Sequence, residues 1–367
     1  MGVSVAIPAE SAFCSGVPTA QHVTKSASRT AQHELFLPAS ICREMLGFFA
    51  VEELLNLEQV DAQWHQTLQE SGQWRRFALR DDNDAQKNDA LLARIATAHG
   101  QDVERLELIN CVFSNELILE VGTRFTNLKE LVVSGCKMLT DEAFAVLVRA
   151  SEQSLVEIRA VKCPMLTNDA LEVVGMHQFK SIERVDFSHC RLLSSFAINE
   201  LVLSCDKLSS IGLKGCPYVN DAAVVAIATH CGTNLRALFV GGSGNISDVA
   251  LQALATHCSN LEALDIARSN PFGSSRGGVS DEALLNFVSK CGRLEKLVLR
   301  GQGRLSLSII EDPVALCIEL KRMALLERLS VSFARGLNDA HISSIAAQCP
   351  QLKHFDVDGA QVSVPCV

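Results

Sequence analysis

Fourteen cysteines and ten histidines are the side chains of this 367-residue sequence best equipped for chemistry, as metal ligands, nucleophiles or disulfide partners. Their spacing argues against all three roles. Cys111, Cys136, Cys163, Cys190 and Cys216 recur at one phase of a repeat, and Cys205, Cys231, Cys258, Cys291 and Cys349 at a second. His230-Cys231 and His257-Cys258 are the most metal-like pairings, yet they fall one repeat apart with no CxxC pair to close a ligand set. A reduced cysteine behaves as a small hydrophobe, which suits a stacked repeat where strand turns into helix. No metal and no cofactor are expected. The sequence also lacks G-x-S-x-G, a phosphate-cradling glycine loop and H-E-x-x-H, so no intrinsic catalysis is expected.

The second set of candidates is charged. Between the apolar positions of each repeat stand residues that alternation turns to the opposite side of a strand, and these are the candidate contacts to a protein substrate: Arg159, Arg184, Lys214, Phe239, Asp265, Lys296, Arg300 and Arg328. The basic members suit an acidic or phosphorylated segment, or else form a solvated face neutralised by its own Asp and Glu. Phe239 is either an anchor for a partner or one of the isolated apolar residues that any surface carries.

The elements that must position these residues follow from one recurring phrase, L-x-x-L-x-L-x-x-C, then a small polar residue with Asp, then an apolar helix. Copies begin at Leu128, Leu155, Ile182 and Leu208, with degenerate forms from Leu235, Leu261, Leu294, Leu326 and Leu352 and a worn first copy from Val103. Intervals are 25 to 27 residues except for two of 33 and 32, which places the period among leucine-rich repeats and marks two insertions, residues 267–278 and 301–328. Such insertions either carry contacts or record tolerated drift. Each phrase predicts a strand with one buried face. Thr140-Asp141, Asn220-Asp221, Ser247-Asp248, Ser280-Asp281 and Asn338-Asp339 predict helix starts, their side-chain oxygens accepting from first-turn N–H groups. The expected architecture is an α/β leucine-rich-repeat solenoid, a horseshoe with a parallel inner sheet, outer helices and about ten strands over residues 103–360. Its inner face would run on the order of 45 Å.

Ahead of the repeats the pattern changes. Residues 1–34 read as a disordered leader, 35–80 as a small helical unit, 81–102 as a linker with a capping helix, and 361–367 as a tail. The net charge of −9 and the lack of a long basic block disfavour nucleic acid, no stretch is apolar enough for a membrane span, and no signal or lipidation motif is legible. Cytoplasm or nucleus is the expected location.

Leu37-Pro38, Ile41, Leu46, Leu54-Leu55, Val60, Trp64 and Trp74 stand where the F-box motif has its leucine-proline start, helix-face leucines, valine and tryptophans. With the cysteine-containing repeats that follow, residues 36 to about 360 resemble the F-box/leucine-rich-repeat family. The acidic residue that usually follows the leucine-proline pair is replaced by Ala39-Ser40. The resemblance implies a three-helix F-box and a substrate receptor of an SCF-type cullin-RING ubiquitin ligase. It also implies that Leu37, Pro38, Ile41, Leu46, Leu54 and Leu55 face a Skp-family adaptor, with Trp64 supporting the helix packing. Cullin and RING subunits would join through that adaptor. The other reading is an interaction scaffold outside any ligase.

Overall fold

The computed structural model describes residues 45–46, 49–60, 62–176, 179–268, 278–302, 305, 325–332 and 339–358. The chain divides into two compact units, with the boundary between Ser71 and Gly72.

In the first unit the helices α1 (Val51–Leu57) and α2 (Ala62–Ser71) are described. Glu53 holds the start of α1 by accepting a hydrogen bond from the Ala50 N–H at 2.9 Å. The apolar spacing of three and four turns Leu54, Leu55, Trp64 and Leu68 inward, and all four are buried with Leu46. Leu37, Pro38 and Ile41 lie outside the described residues, as does the whole of the leader, residues 1–34.

The second unit is one sheet of eleven parallel strands in strict sequence order. The strands are β1 (Arg76–Arg80), β2 (Arg105–Ile109), β3 (Glu130–Val132), β4 (Glu157–Arg159), β5 (Arg184–Asp186) and β6 (Ser210–Gly212). They continue as β7 (Ala237–Phe239), β8 (Ala263–Asp265), β9 (Lys296–Val298), β10 (Arg328–Ser330) and β11 (His354–Asp356). Helices link most consecutive strands, among them α3 (Ala85–His99), α4 (Asn115–Val121), α5 (Asp141–Ala150) and α6 (Asn168–Met176). Further along are α7 (Ser195–Ser204), α8 (Asp221–Cys231), α9 (Asp248–His257), α10 (Asp281–Lys290) and, among the described residues, α11 (Asp339–Gln348). The expected solenoid is therefore present, with one strand more than the sequence indicated. Arg76-Phe-Ala-Leu-Arg80 falls in the segment expected to be helical, yet it pairs in register with Arg105–Ile109, its Phe77 and Leu79 buried and its arginines exposed. The helical unit thus ends at residue 71 and not 80. Trp74 correspondingly leaves the core expected for that unit and stacks on the His99 ring, centroids 4.4 Å apart. The helix expected to cap the first repeat is α3, which instead joins β1 to β2 as the helix of an ordinary repeat.

The repeat leucines form the core. Leu131, Ile158, Ile211, Leu238 and Leu264 occupy registered positions on successive strands and are wholly buried. Each such side chain contributes about 1.5–3 kcal/mol of burial. The cysteines belong to the same core. All ten cysteines of the described residues are buried. The strand-end thiols donate to a carbonyl one repeat back, Cys136 to Leu108 at 3.1 Å, Cys163 to Val133 at 2.8 Å and Cys190 to Ala160 at 2.9 Å. Burial pushes the Cys136 thiol up to about 12 and Cys163 to about 11, so neither is a thiolate near neutral pH.

Helix starts follow the expectation in part and add to it. Thr140 and Ser280 accept from the N–H three residues on, Asn220 and Ser247 from the N–H two residues on. The adjoining Asp does a separate job. Asp141, Asp221 and Asp248 accept from the N–H of Thr167, Ser247 and Ser280 in the next repeat, at 2.9, 2.7 and 2.6 Å. Asn115 and Asn168 act likewise toward Thr140 and Ser194. A polar spine thereby ties neighbouring repeats beside the buried apolar residues that precede it, Leu139, Leu166 and Leu193 among them.

Candidate recognition face

On the side of the sheet away from the helices, the register brings three rows of side chains together. The first runs Arg76, Arg105, Glu130, Glu157, Arg184, Ser210, Ala237, Ala263, Lys296, Arg328, His354 across the eleven strands. The second, two residues on, begins Ala78, Glu107, Val132, Arg159, Asp186, Gly212, Phe239, Asp265. The third follows the backbone ladder beyond the strands, where the His189 N–H donates to the Lys214 carbonyl at 2.6 Å and the Arg268 N–H to the Arg300 carbonyl at 2.8 Å. A face built this way is lined by polar and charged side chains and stands about 4.8 Å per strand.

Over β1 to β5 the charges answer one another. Glu107, only 2% exposed, receives Arg80 and Arg105, and Arg105 also reaches Glu130 on the next strand. Glu157, 7% exposed, receives Arg159 on its own strand and the Arg184 Nε at 2.7 Å from the next. Burial pushes the Glu107 and Glu157 carboxyls up, but these guanidinium hydrogen bonds outweigh it and hold both below the ordinary carboxylate value. Arg159 and Arg184 therefore sit together, both bound to Glu157.

Over β6 to β10 the balance differs. Lys214 Nζ meets the buried Asp265 carboxylate at 2.5 Å, whose other oxygen accepts from the Ala267 N–H at 3.0 Å. The ammonium groups of Lys214 and Lys296 each stand 5.3 Å from the Phe239 ring centroid. Phe239 is thus half-buried and flanked by cations, not a bare aromatic knob. Neither Lys296 nor Arg328 makes an ion pair among the described residues. Burial, then repulsion from Lys214 and Arg328, lowers the Lys296 pKa below its ordinary value. Arg300 stands close enough to Asp356 to help lower that carboxyl, after the Ser332 hydroxyl that bonds it at 2.5 Å.

Of the eight expected substrate contacts, Lys214, Asp265 and Lys296 gather around Phe239, and Arg328 stands beside Lys296 on the next strand. Arg159 and Arg184 form the separate Glu157 group, and Arg300 lies beside Asp356. The sequence reading missed Arg76 and Arg80, because β1 was not seen; the alternation of arginine with Phe77 and Leu79 was the available signal. The expected adaptor residues are placed differently again. Leu46, Leu54 and Leu55 were expected to face an adaptor, but each is buried, at 3, 1 and 3% exposure, and Trp64, expected to support the helix packing, is buried as well. Leu54, Leu55 and Trp64 lie on the inner faces of short helices.

Among solved structures, the chain is similar to Rad7 in the crystal structure of the Rad7 and Elc1 complex in yeast, with a TM-score of 0.55 and 17% sequence identity. The match covers 95% of this chain and 91% of that one. The fold is a leucine-rich-repeat solenoid. At that identity the likeness is one of fold, and the charges of the inner face belong to this chain. No protein-family model and no curated protein matches the sequence. Among the described residues no group of three or more His, Cys, Asp or Glu is placed to hold a metal ion, and no helix is long and apolar enough to cross a membrane.

Proposed function

We propose that this chain is the substrate-recognition subunit of an SCF-type cullin-RING ubiquitin ligase, itself without catalytic chemistry. The residues around Leu37-Pro38 would hold a Skp-family adaptor, cullin and RING subunits would join through it, and the inner face of the solenoid would present a protein target. Cytoplasm or nucleus is where such a subunit would work. The observation that carries the reading is one sheet of eleven parallel strands, packed on one side by leucines and helices, whose other side carries polar and charged side chains from the first strand to the last among the described residues. Fixed polar groups on a scaffold that performs no reaction are suited to holding a partner. The order of the two parts, a separate helical unit followed by the repeats, supports the receptor reading, as does a structural neighbour crystallised in complex with a second protein.

A scaffold outside any ligase is favoured by one observation: the leucines at 46, 54 and 55 are already buried within the chain. Affinity purification followed by mass spectrometry, with the proteasome blocked, separates the two. A Skp-family adaptor is expected with the wild type and absent with the Leu37→Ala/Pro38→Ala double variant. If no adaptor accompanies the wild type, the ligase reading fails and the scaffold remains.

A further inference from the structure

Among the described residues, the inner face places two cations on adjacent strands with no carboxylate in ion-pair distance of either. In the first row Ser210, Ala237 and Ala263 precede Lys296 and Arg328, so three small side chains make a bare shelf that ends at two neighbouring cations. Phe239 rises beside the shelf with Lys214 and Lys296 held against its ring. Asp265 takes up Lys214. That leaves Lys296 and Arg328, on adjacent strands, with no carboxylate in ion-pair distance among the described residues. Every arginine discussed on β2 to β5 has one. Keeping two like charges side by side on a half-buried surface opposes folding, so an arrangement of this kind is expected where a ligand supplies the missing charge.

We propose that the shelf over β6 to β10 docks an acidic peptide segment, its Asp or Glu carboxylates taken by Lys296 and Arg328 and its backbone laid over Ser210, Ala237 and Ala263. The proposal rests on the reading of the inner face as the recognition surface and names the chemistry of what it recognises. Asp265 shows how a carboxylate is accommodated: one oxygen on Lys214 at 2.5 Å, the other on the Ala267 N–H at 3.0 Å, beside Gly241, where a Cβ would collide with it. Carboxylate is favoured over phosphate by the donors present. Only one of the two open cations has a guanidinium fork, and the starts of α5, α8, α9 and α10 are capped by side chains of their own or the previous repeat. Nucleic acid would need a longer basic track than two cations in a chain of net charge −9.

The test is fluorescence anisotropy of the full chain with a labelled eight-residue glutamate peptide. Wild type is expected to bind it, more weakly as salt is raised, and to ignore the all-glutamine counterpart. Lys296→Gln/Arg328→Gln is expected to weaken binding about tenfold or more, whereas Arg159→Gln/Arg184→Gln changes it less than about threefold. Thermal melting of both double variants checks folding, and single replacements replace any that do not melt cooperatively. Equal affinity for the glutamine peptide, an effect shared by both pairs, or binding of a phosphoserine peptide, oligonucleotide or phosphatidylserine vesicle in place of the glutamate peptide overturns the proposal. Adaptor capture is scored on the same proteins. Loss of peptide binding with adaptor retained is the outcome expected of the Lys296/Arg328 variant, while a wild type that binds peptide but no adaptor upholds this proposal and sinks the ligase reading.

Discussion

The two halves of the inner face use the same strand geometry to opposite ends. Over β1 to β5, carboxylates and guanidinium groups alternate along and across strands, and each buried acid is covered by two arginines. Over β6 to β10 the same positions hold mainly small side chains and Phe239, with Lys214, Lys296 and Arg328 beside one buried acid, Asp265. The turn that closes each strand differs as well. Its left-handed residue is Asp81, Asn110, Lys162 or His189 in four of the first five repeats, but Gly215, Gly242 and Gly301 later on. The first half therefore spends its charges on itself and tolerates strain in its turns, while the second leaves charge open on a relaxed backbone. Self-neutralised networks stabilise locally, and open cations are useful only to a partner.

The largest expected effect tests the first half. Glu157→Ala removes the acceptor shared by Arg159 and Arg184 and is expected to cost about 2–3 kcal/mol in urea denaturation. The pH dependence has a definite sign. Because the folded Glu107 and Glu157 carboxyls lie below the ordinary 4.5, their stabilisation is complete above that value and lost as pH falls through the folded values. Glu157→Gln should flatten that acid limb; an unchanged limb would mean the network stabilises nothing.

Next in size is Gly215→Ala. A left-handed φ of 66° disfavours any Cβ, and this one would meet the His189 ring, so a loss of about 1–2 kcal/mol is expected by thermal melting. Lys296→Met should run the other way. Removing a desolvated, repelled cation while keeping its stem over Phe239 is expected to raise stability by up to about 1 kcal/mol, whereas Arg184→Met lowers it. A destabilised Lys296→Met would show that the second half is neutralised after all. Smallest is His189→Gly, which relieves a non-glycine residue at φ 63° by more than the added chain entropy of glycine costs and is expected to gain about 0.5 kcal/mol by equilibrium unfolding.

Much of this was legible in the residues. Leucine spacing marked ten of the eleven strands, Thr140, Asn220, Ser247 and Ser280 marked helix starts, and the fixed phase of the cysteines marked them as core. β1 was not legible, because one five-residue alternation after a helical stretch resembles the end of a helix until a neighbour pairs with it. Nor was the inter-repeat role of Asp141, Asp221 and Asp248, since the donors they serve lie 26 to 32 residues away.

By itself the sequence determined the repeat, the buried row and the identity of the side chains left on the open row, because period-two alternation is a local property of an extended backbone. Only the tertiary structure decided which charges meet. Arg105 reaches Glu130, and Arg184 reaches Glu157, across neighbouring strands 25 and 27 residues apart in sequence, whereas Lys296 and Arg328 come side by side as register partners with no ion pair of their own among the described residues. Charge pairing depends on distances of a few ångströms, and those are fixed by register between strands, not by position within one.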